Sequence, residues 1–229
     1  TGKPWLLAVG FIKPHLPFTA PQKFLDHYKN VEFPPIPDPN KPTGPSLWHR
    51  SGEFMGNYAD KNDPRKDRKY ALKVRKHYAA STSYVDDNVG KLLAYLEKSG
   101  ATNNTIIILW GDHGFSLGEK SIWGKHHLYH TALHSPLIIK IPNQQTTGKP
   151  SNAIAETVDI FPTLCELANI PLPNGLEGMS LASVVSDPTT PSDGAAISFW
   201  AGNKSIITRD THTIFKKEQP FLQFDLTKD

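Results

Sequence analysis

One cysteine in 229 residues excludes an internal disulfide and a cysteine-rich zinc site, and it leaves the redox compartment open. Neither sign of charge dominates. Lys+Arg 25 against Asp+Glu 22 gives +3, too little for a field that would gather nucleic acid or a membrane surface. Long apolar runs are missing as well: the two longest, Trp5–Ile12 and Thr105–Trp110, fall far short of the roughly 20 residues a membrane helix needs. No basic segment followed by a short apolar core stands at the start, so no targeting segment is legible. The chain has no initiator Met and enters a core-like run almost at once, which reads as a piece of a longer enzyme. Its length suits one α/β domain with an appendage. Proline is what it has in plenty: 20 of 229, nearly twice the usual ~5%, so long irregular segments are expected.

The apolar pattern yields a sequence of elements. Trp5–Ile12 is unalternated and closed by Lys13-Pro14, the pattern of a strand buried on both faces. Pro34, Pro35, Pro37, Pro39, Pro42 and Pro45 make 30–64 an irregular excursion, because each fixes φ and removes an amide donor. It is a wall of a substrate cleft or a passive cover. Tyr70, Val74, Tyr78, Ser81, Val85, Val89, Leu92 and Leu96 recur at steps of three and four and predict a long amphipathic helix ending at Gly100. Thr105–Trp110 is a second buried strand, and 136–142, with a proline at each end, a third. Glu156–Ala168 reads as a helix with Pro162 in its first turn. Ala195–Trp200, Ser205–Thr208 and Thr213–Lys216 read as short antiparallel strands. The order predicts an α/β fold, a mostly parallel sheet sandwiched by helices with a small antiparallel C-terminal subdomain, incomplete as it stands. The boundary falls between 185 and 186: 1–185 is the C-terminal part of a catalytic domain, and 186–229 the start of the subdomain.

The chemistry concentrates after the second strand, in Gly111-Asp112-His113-Gly114-Phe115-Ser116-Leu117-Gly118-Glu119 and then Trp123-Gly124-Lys125. The carboxyl edge of a strand is where open α/β sheets place ligands. A carboxylate beside an imidazole, turned out by two glycines, can hold a divalent cation. Lys125 can bring a cation to an anionic substrate over the same opening. The tripeptide by itself fits equally a turn in which Asp112 caps and His113 sits on the surface. His126, His127, His130 and His134 have helical zinc spacings, but no His-Glu-x-x-His arrangement accompanies them.

The extended pattern, strand-Gly-Asp-His-Gly-x-x-Leu-Gly-Glu-x-x-x-Trp-x-Lys, resembles the sulfatase family of the alkaline phosphatase superfamily. Tyr84-Val85-Asp86-Asp87-Asn88-Val89-Gly90, Ser135-Pro136-Leu137-Ile138, Val158-Asp159-Ile160-Phe161-Pro162-Thr163-Leu164 and Leu176-Glu177-Gly178-Met179-Ser180-Leu181 follow in the family's order. Val9-Gly10-Phe11-Ile12-Lys13-Pro14-His15 is similar to its iduronate-2-sulfatase branch.

That resemblance implies an alkaline phosphatase-like fold and a set of roles. Asp112 and His113 become calcium ligands, although many sulfatases carry Asn at the second place, so His113 is alternatively a proton donor or sulfate contact. Lys125 contacts the sulfate and the leaving oxygen. His15 is a substrate contact or acid, and His126, with His127, lines the sulfate pocket. The family's nucleophile is a formylglycine made from Cys or Ser in Cys/Ser-x-Pro-x-Arg, and no such motif occurs here; Cys165, in Leu164-Cys165-Glu166, reads as a buried helix residue. The formylglycine and the paired metal aspartates are therefore expected in an N-terminal portion of the same enzyme, in the same or a separate chain. The implied reaction is hydrolysis of a sulfate ester of a uronic acid or other sugar, in a secreted, periplasmic or lysosomal setting. A phosphodiesterase or phosphonate hydrolase of the same superfamily, or a non-catalytic fragment that binds a sulfated glycan or a partner chain, are the other readings.

Overall fold

The computed structural model describes residues 3–145, 147–191 and 194–228. They form two compact units: Thr1–Asn40 with His49–Ser99 and Leu117–Trp123, and Lys41–Trp48 with Gly100–Ser116 and Gly124–Asp229.

The first unit is organised by one helix, Arg68–Lys98. Asp67 caps it, its carboxylate accepting from the amides of Lys69 and Tyr70 and so satisfying donors that have no partner within the helix. At the other end Ser99 is the cap, and Gly100 follows at φ 75°, a conformation that glycine adopts without strain. Val74 and Ser81 of the expected stripe are buried. Tyr78 meets Phe18 edge-on at 5.1 Å, and the Tyr28 and Ser83 hydroxyls are 2.7 Å apart. The stripe does not stay buried: Leu92, Leu93 and Tyr95 are exposed. Gln22–His27 packs on the helix, and the buried positions lie in the first half of its length. The proline-rich excursion is irregular as read, apart from a short helix, Gly52–Asn57, that seats Phe54 in the core. Ladderless carbonyls in it and just before it find other donors: Arg75 donates to Pro34 and Lys76 to Lys29, which answers the requirement that backbone acceptors be paired.

Trp5–Ile12 departs from the expected two-sided burial. It forms no ladder among the described residues and is exposed throughout, Leu6 at 84% and Ile12 at 82%. Burying both faces of a strand takes neighbours on both sides, and the described part of this unit brings none to it.

In the second unit Ile107–Trp110 pairs with Leu137–Lys140 antiparallel, in register from Ile107↔Lys140 to Trp110↔Leu137. This pair departs from the mostly parallel pattern expected of the sheet: an apolar run marks a strand but carries no direction. The ladder ends where Gly111 N–H donates to the Pro136 carbonyl and Ser135 Oγ to that of Gly111.

The helix Ile160–Leu167 holds Pro162 in its first turn and buries Cys165. Asp159, just before it, is a clip: its carboxylate accepts from the amides of Glu156 and Met179, while its carbonyl accepts from Thr163 Oγ1. Gly178 fits there because a Cβ would come within 2.1 Å of the Val158 carbonyl oxygen. The Val-Asp-Ile-Phe-Pro-Thr and Leu-Glu-Gly-Met-Ser segments are thereby fastened together.

The C-terminal sheet is antiparallel as expected, with Ala196–Trp200, Asn203–Ile207, Thr211–Lys216 and Gln219–Asp225 neighbouring in chain order. The fourth strand is an addition to the sequence reading. No helix among the described residues is long and apolar enough to cross a membrane.

His212 is buried under this sheet with Nε2 2.8 Å from Ser205 Oγ. Burial, and next the neighbouring charge of His130, lower its pKa from 6.5 to about 4, against a hydrogen bond with the Leu128 backbone that raises it. The unfolded chain takes up this proton near pH 6.5, the folded one only near 4. Stability is thus complete above about pH 6.5 and falls on acidification towards 4, by on the order of 3 kcal/mol. Urea unfolding from pH 7 to 4.5 should show this slope, and His212→Gln should flatten it. Equal slopes would remove His212 from the account.

Candidate functional site

The second unit contains a pocket of about 310 Å³ whose lining includes His113, Lys125, His126, Ser198, Phe199 and Trp200. Three separate stretches build it, residues 125–133 and two others. The first of the others is the turn after Ile107–Trp110. There Gly114 donates to the Ala132 carbonyl at 2.8 Å, and a Cβ at Gly114 would meet the Thr131 carbonyl oxygen at 2.1 Å. The glycine is what lets this turn lie against 131–132 and point Asp112 and His113 outward. The second is the strand Ala196–Trp200, whose last residues reach the pocket.

His113 has a defined tautomer. Its Nδ1 is 2.8 Å from the Gly114 carbonyl, which can only accept, so Nδ1 carries the hydrogen and Nε2 presents a lone pair. Asp112 Oδ2 lies 3.7 Å from that Nε2, while Oδ1 accepts the His113 amide. The Asp112 side chain is 86% exposed. Two acceptor atoms at this separation suit neighbouring positions around one divalent ion whose ligands stand at about 2.4 Å. The number of donors does not suit it: no group of three or more His, Cys, Asp or Glu that could hold a metal occurs among the described residues, and calcium takes six to eight oxygens. Among the described residues, these two side chains alone do not make a calcium site. Calorimetric titration should show calcium binding weaker than about 1 mM, the weak end for complete sites, and Asp112→Asn should leave it unchanged. Micromolar binding would mean that other donors close the shell.

Lys125 and His126 are half-buried in the pocket wall, and the His126 ring stacks on Trp200 at 4.9 Å and 29°. His127 is placed differently. It is buried, its Nδ1 accepts from the Tyr129 amide, and its Nε2–H therefore donates to Ser116 Oγ at 3.0 Å, which in turn is 2.6 Å from Thr131 Oγ1. A serine that accepts from an imidazole cannot hand it a proton, so this buried pair is a brace. The rings of His130 and His134 stack on each other at 4.6 Å, and burial followed by the His134 charge lowers the His130 pKa.

His15 belongs to the first unit. Its Nδ1 is 2.8 Å from the Leu16 carbonyl and its Nε2 3.7 Å from Glu53 Oε1. A concavity of about 220 Å³ in that unit is lined by Phe18, Phe54, Tyr70 and His77 among others. Tyr70 donates there to the Ala59 carbonyl and His77 Nδ1 meets that of Phe18, so these two polar groups face their own walls.

Of the residues singled out in the sequence, the structure brings His113, Lys125, His126 and His127 to the lining of one pocket, with Asp112 beside His113. Phe199 and Trp200 were missed as pocket residues. The signal was two consecutive large aromatics at a strand end, which breaks the period of two.

The sequence pattern of the sulfatase family matches residues 1–170. The chain is 31% identical over 205 residues to iduronate 2-sulfatase of Homo sapiens, which covers 76% of this chain and 37% of that protein. Among solved structures, phosphonate monoester hydrolase of Silicibacter pomeroyi aligns with 100% of this chain and 51% of its own, at TM-score 0.78 and 22% identity. A protein solved in complex with its substrate D-glucosamine-2-N,6-O-disulfate aligns with 95% of this chain and 57% of its own, at TM-score 0.73 and 24% identity. The chain shares their fold, and it spans less than half the length of the curated relatives it matches.

Proposed function

Because the chain belongs to the sulfatase family, we propose that it supplies the anion-holding side of an active site that hydrolyses sulfate esters. The observation that carries this is the pocket itself: Lys125, His113 and His126 line it together, and no carboxylate does among its described residues. Such a lining favours a tetrahedral oxyanion. When the S–O bond breaks, charge grows on the leaving oxygen, and a fixed ammonium beside it stabilises the transition state more than the ground state. Lys125 holds that position, and His126 is a substrate contact. His15, of the first unit, is proposed as a substrate contact or acid, its Nδ1–H bound to the Leu16 carbonyl and its Nε2 the atom that would carry the proton. Asp112 and His113 are assigned as two of the ligands of a calcium ion, with His113 as a sulfate contact the alternative use of the same lone pair. The nucleophile comes from a formylglycine segment outside this sequence.

A sulfated uronic acid or other sugar is the proposed substrate, supported by the likeness to iduronate 2-sulfatase. The test is sulfate release by a protein that joins this chain to a Cys/Ser-x-Pro-x-Arg segment, run beside a phosphonate monoester. Sulfate ester turnover at least tenfold faster than phosphonate turnover is expected. The reverse preference would make it a phosphonate hydrolase.

A further inference from the structure

We propose that Trp200 and Phe199 form a stacking platform for the ring of a sulfated sugar whose sulfate sits at Lys125, an assignment that rests on the sulfatase reading above. Three observations lead to it. First, the packing of the sheet does not account for these side chains. The sheet buries Ile214, Ser205 and His212, whereas Phe199 is 73% and Trp200 45% exposed on one of its two edge strands. Second, Trp200 is held in place: His126 stacks on it, and its strand is fixed by the register Trp200↔Asn203 across the turn at Ala201-Gly202. A fixed ring loses little freedom when a ligand docks on it. Third, both residues line the same pocket as Lys125 and His113, so an apolar wall and a cationic end share one space.

The occupant follows from that combination. A cationic end without a carboxylate in its described lining takes an anion, and an aromatic wall takes a flat apolar face. A pyranose sulfate offers both, since one face of the ring presents polarised C–H groups to the negative face of an aromatic system. The volume, about 310 Å³, lies at the small end of ligand sites, which suits one sugar residue better than a length of glycan. Asp112 stands beside His113 rather than in the lining.

The experiment measures binding of glucosamine 6-sulfate, glucosamine and inorganic sulfate to this chain by saturation-transfer NMR and tryptophan fluorescence. The sulfated sugar is expected to bind more tightly than either of the other two. Trp200→Ala should weaken it about tenfold, the order of one buried apolar face, while inorganic sulfate changes less than twofold, and Trp200→Phe should recover most of the loss. Phe199→Ala, at a largely exposed position, should weaken the sugar sulfate with an unchanged melting temperature. Lys125→Ala should weaken both sulfate ligands. If inorganic sulfate binds but the sugar adds nothing, or if Trp200→Ala affects both ligands equally, the platform is refuted and the sulfatase reading stands. If neither sulfate ligand binds, the anion pocket and the platform fall together.

Discussion

Lys125→Ala is expected to lower kcat for an aryl sulfate by about 10²–10³-fold, the cost of removing one preorganised group that stabilises developing charge. The measurement requires a protein in which this chain is joined to a formylglycine-forming segment. KM should change far less than kcat, because charge on the leaving oxygen exists mainly in the transition state. Lys125→Arg should restore part of the rate, since the charge returns with a different reach and donor geometry. The position is half-buried in a pocket wall, so the alanine variant should melt close to the parent. An unchanged kcat would return Lys125 to an ordinary solvated lysine.

The second large effect is the absence of turnover from the 229-residue chain itself, with or without calcium. Its only cysteine is buried in the helix Ile160–Leu167. Of the two buried Ser–His pairs among the described residues, Ser116–His127 has the tautomer that prevents proton abstraction from the serine, and Ser205–His212 is sealed within the C-terminal sheet, away from any substrate. Charge stabilisation with no nucleophile leaves only slow attack by water. Adding a formylglycine-forming segment, in the same or a separate chain, is expected to raise sulfate ester hydrolysis above background by many orders of magnitude. Sulfate release by the purified chain, surviving repeated chromatography and tracking its concentration, would overturn this.

Some of this molecule could be read directly. The long helix, the proline-rich excursion, the antiparallel C-terminal strands and the grouping of His113, Lys125 and His126 all rest on local rules: spacing, φ restriction, and residues carried on one short stretch after a strand. What could not be read depends on partners distant in sequence. Trp5–Ile12 has the composition of a buried strand, but composition does not supply neighbours. Ile107–Trp110 was recognisable as a strand, yet its antiparallel direction is set by Pro136 returning to Gly111. Gln219–Asp225 was hidden by its own chemistry: its turn is Lys217-Glu218, both at positive φ where glycine or asparagine would have signalled a hairpin. Pro220 also stands in the strand, tolerated beside the register shift at Ile214/Phe215. Asp159 stands in a stretch that the sequence marks only by its likeness to the family, and its role as a clip is visible only once the Met179 amide is seen to reach it.

The bare apolar segment Trp5–Ile12 sets the terms on which any of these experiments can be run. With a formal charge of only +3 and a pI near 8.8, molecules in solution repel one another weakly, and an exposed extended stretch of this composition is a site of self-association. Moving away from the isoelectric point towards acid strengthens the repulsion, but below about pH 6.5 the neutral His212 begins to cost fold stability. Colloidal and conformational limits therefore leave a usable formulation window close to pH 7, at low salt and dilute protein.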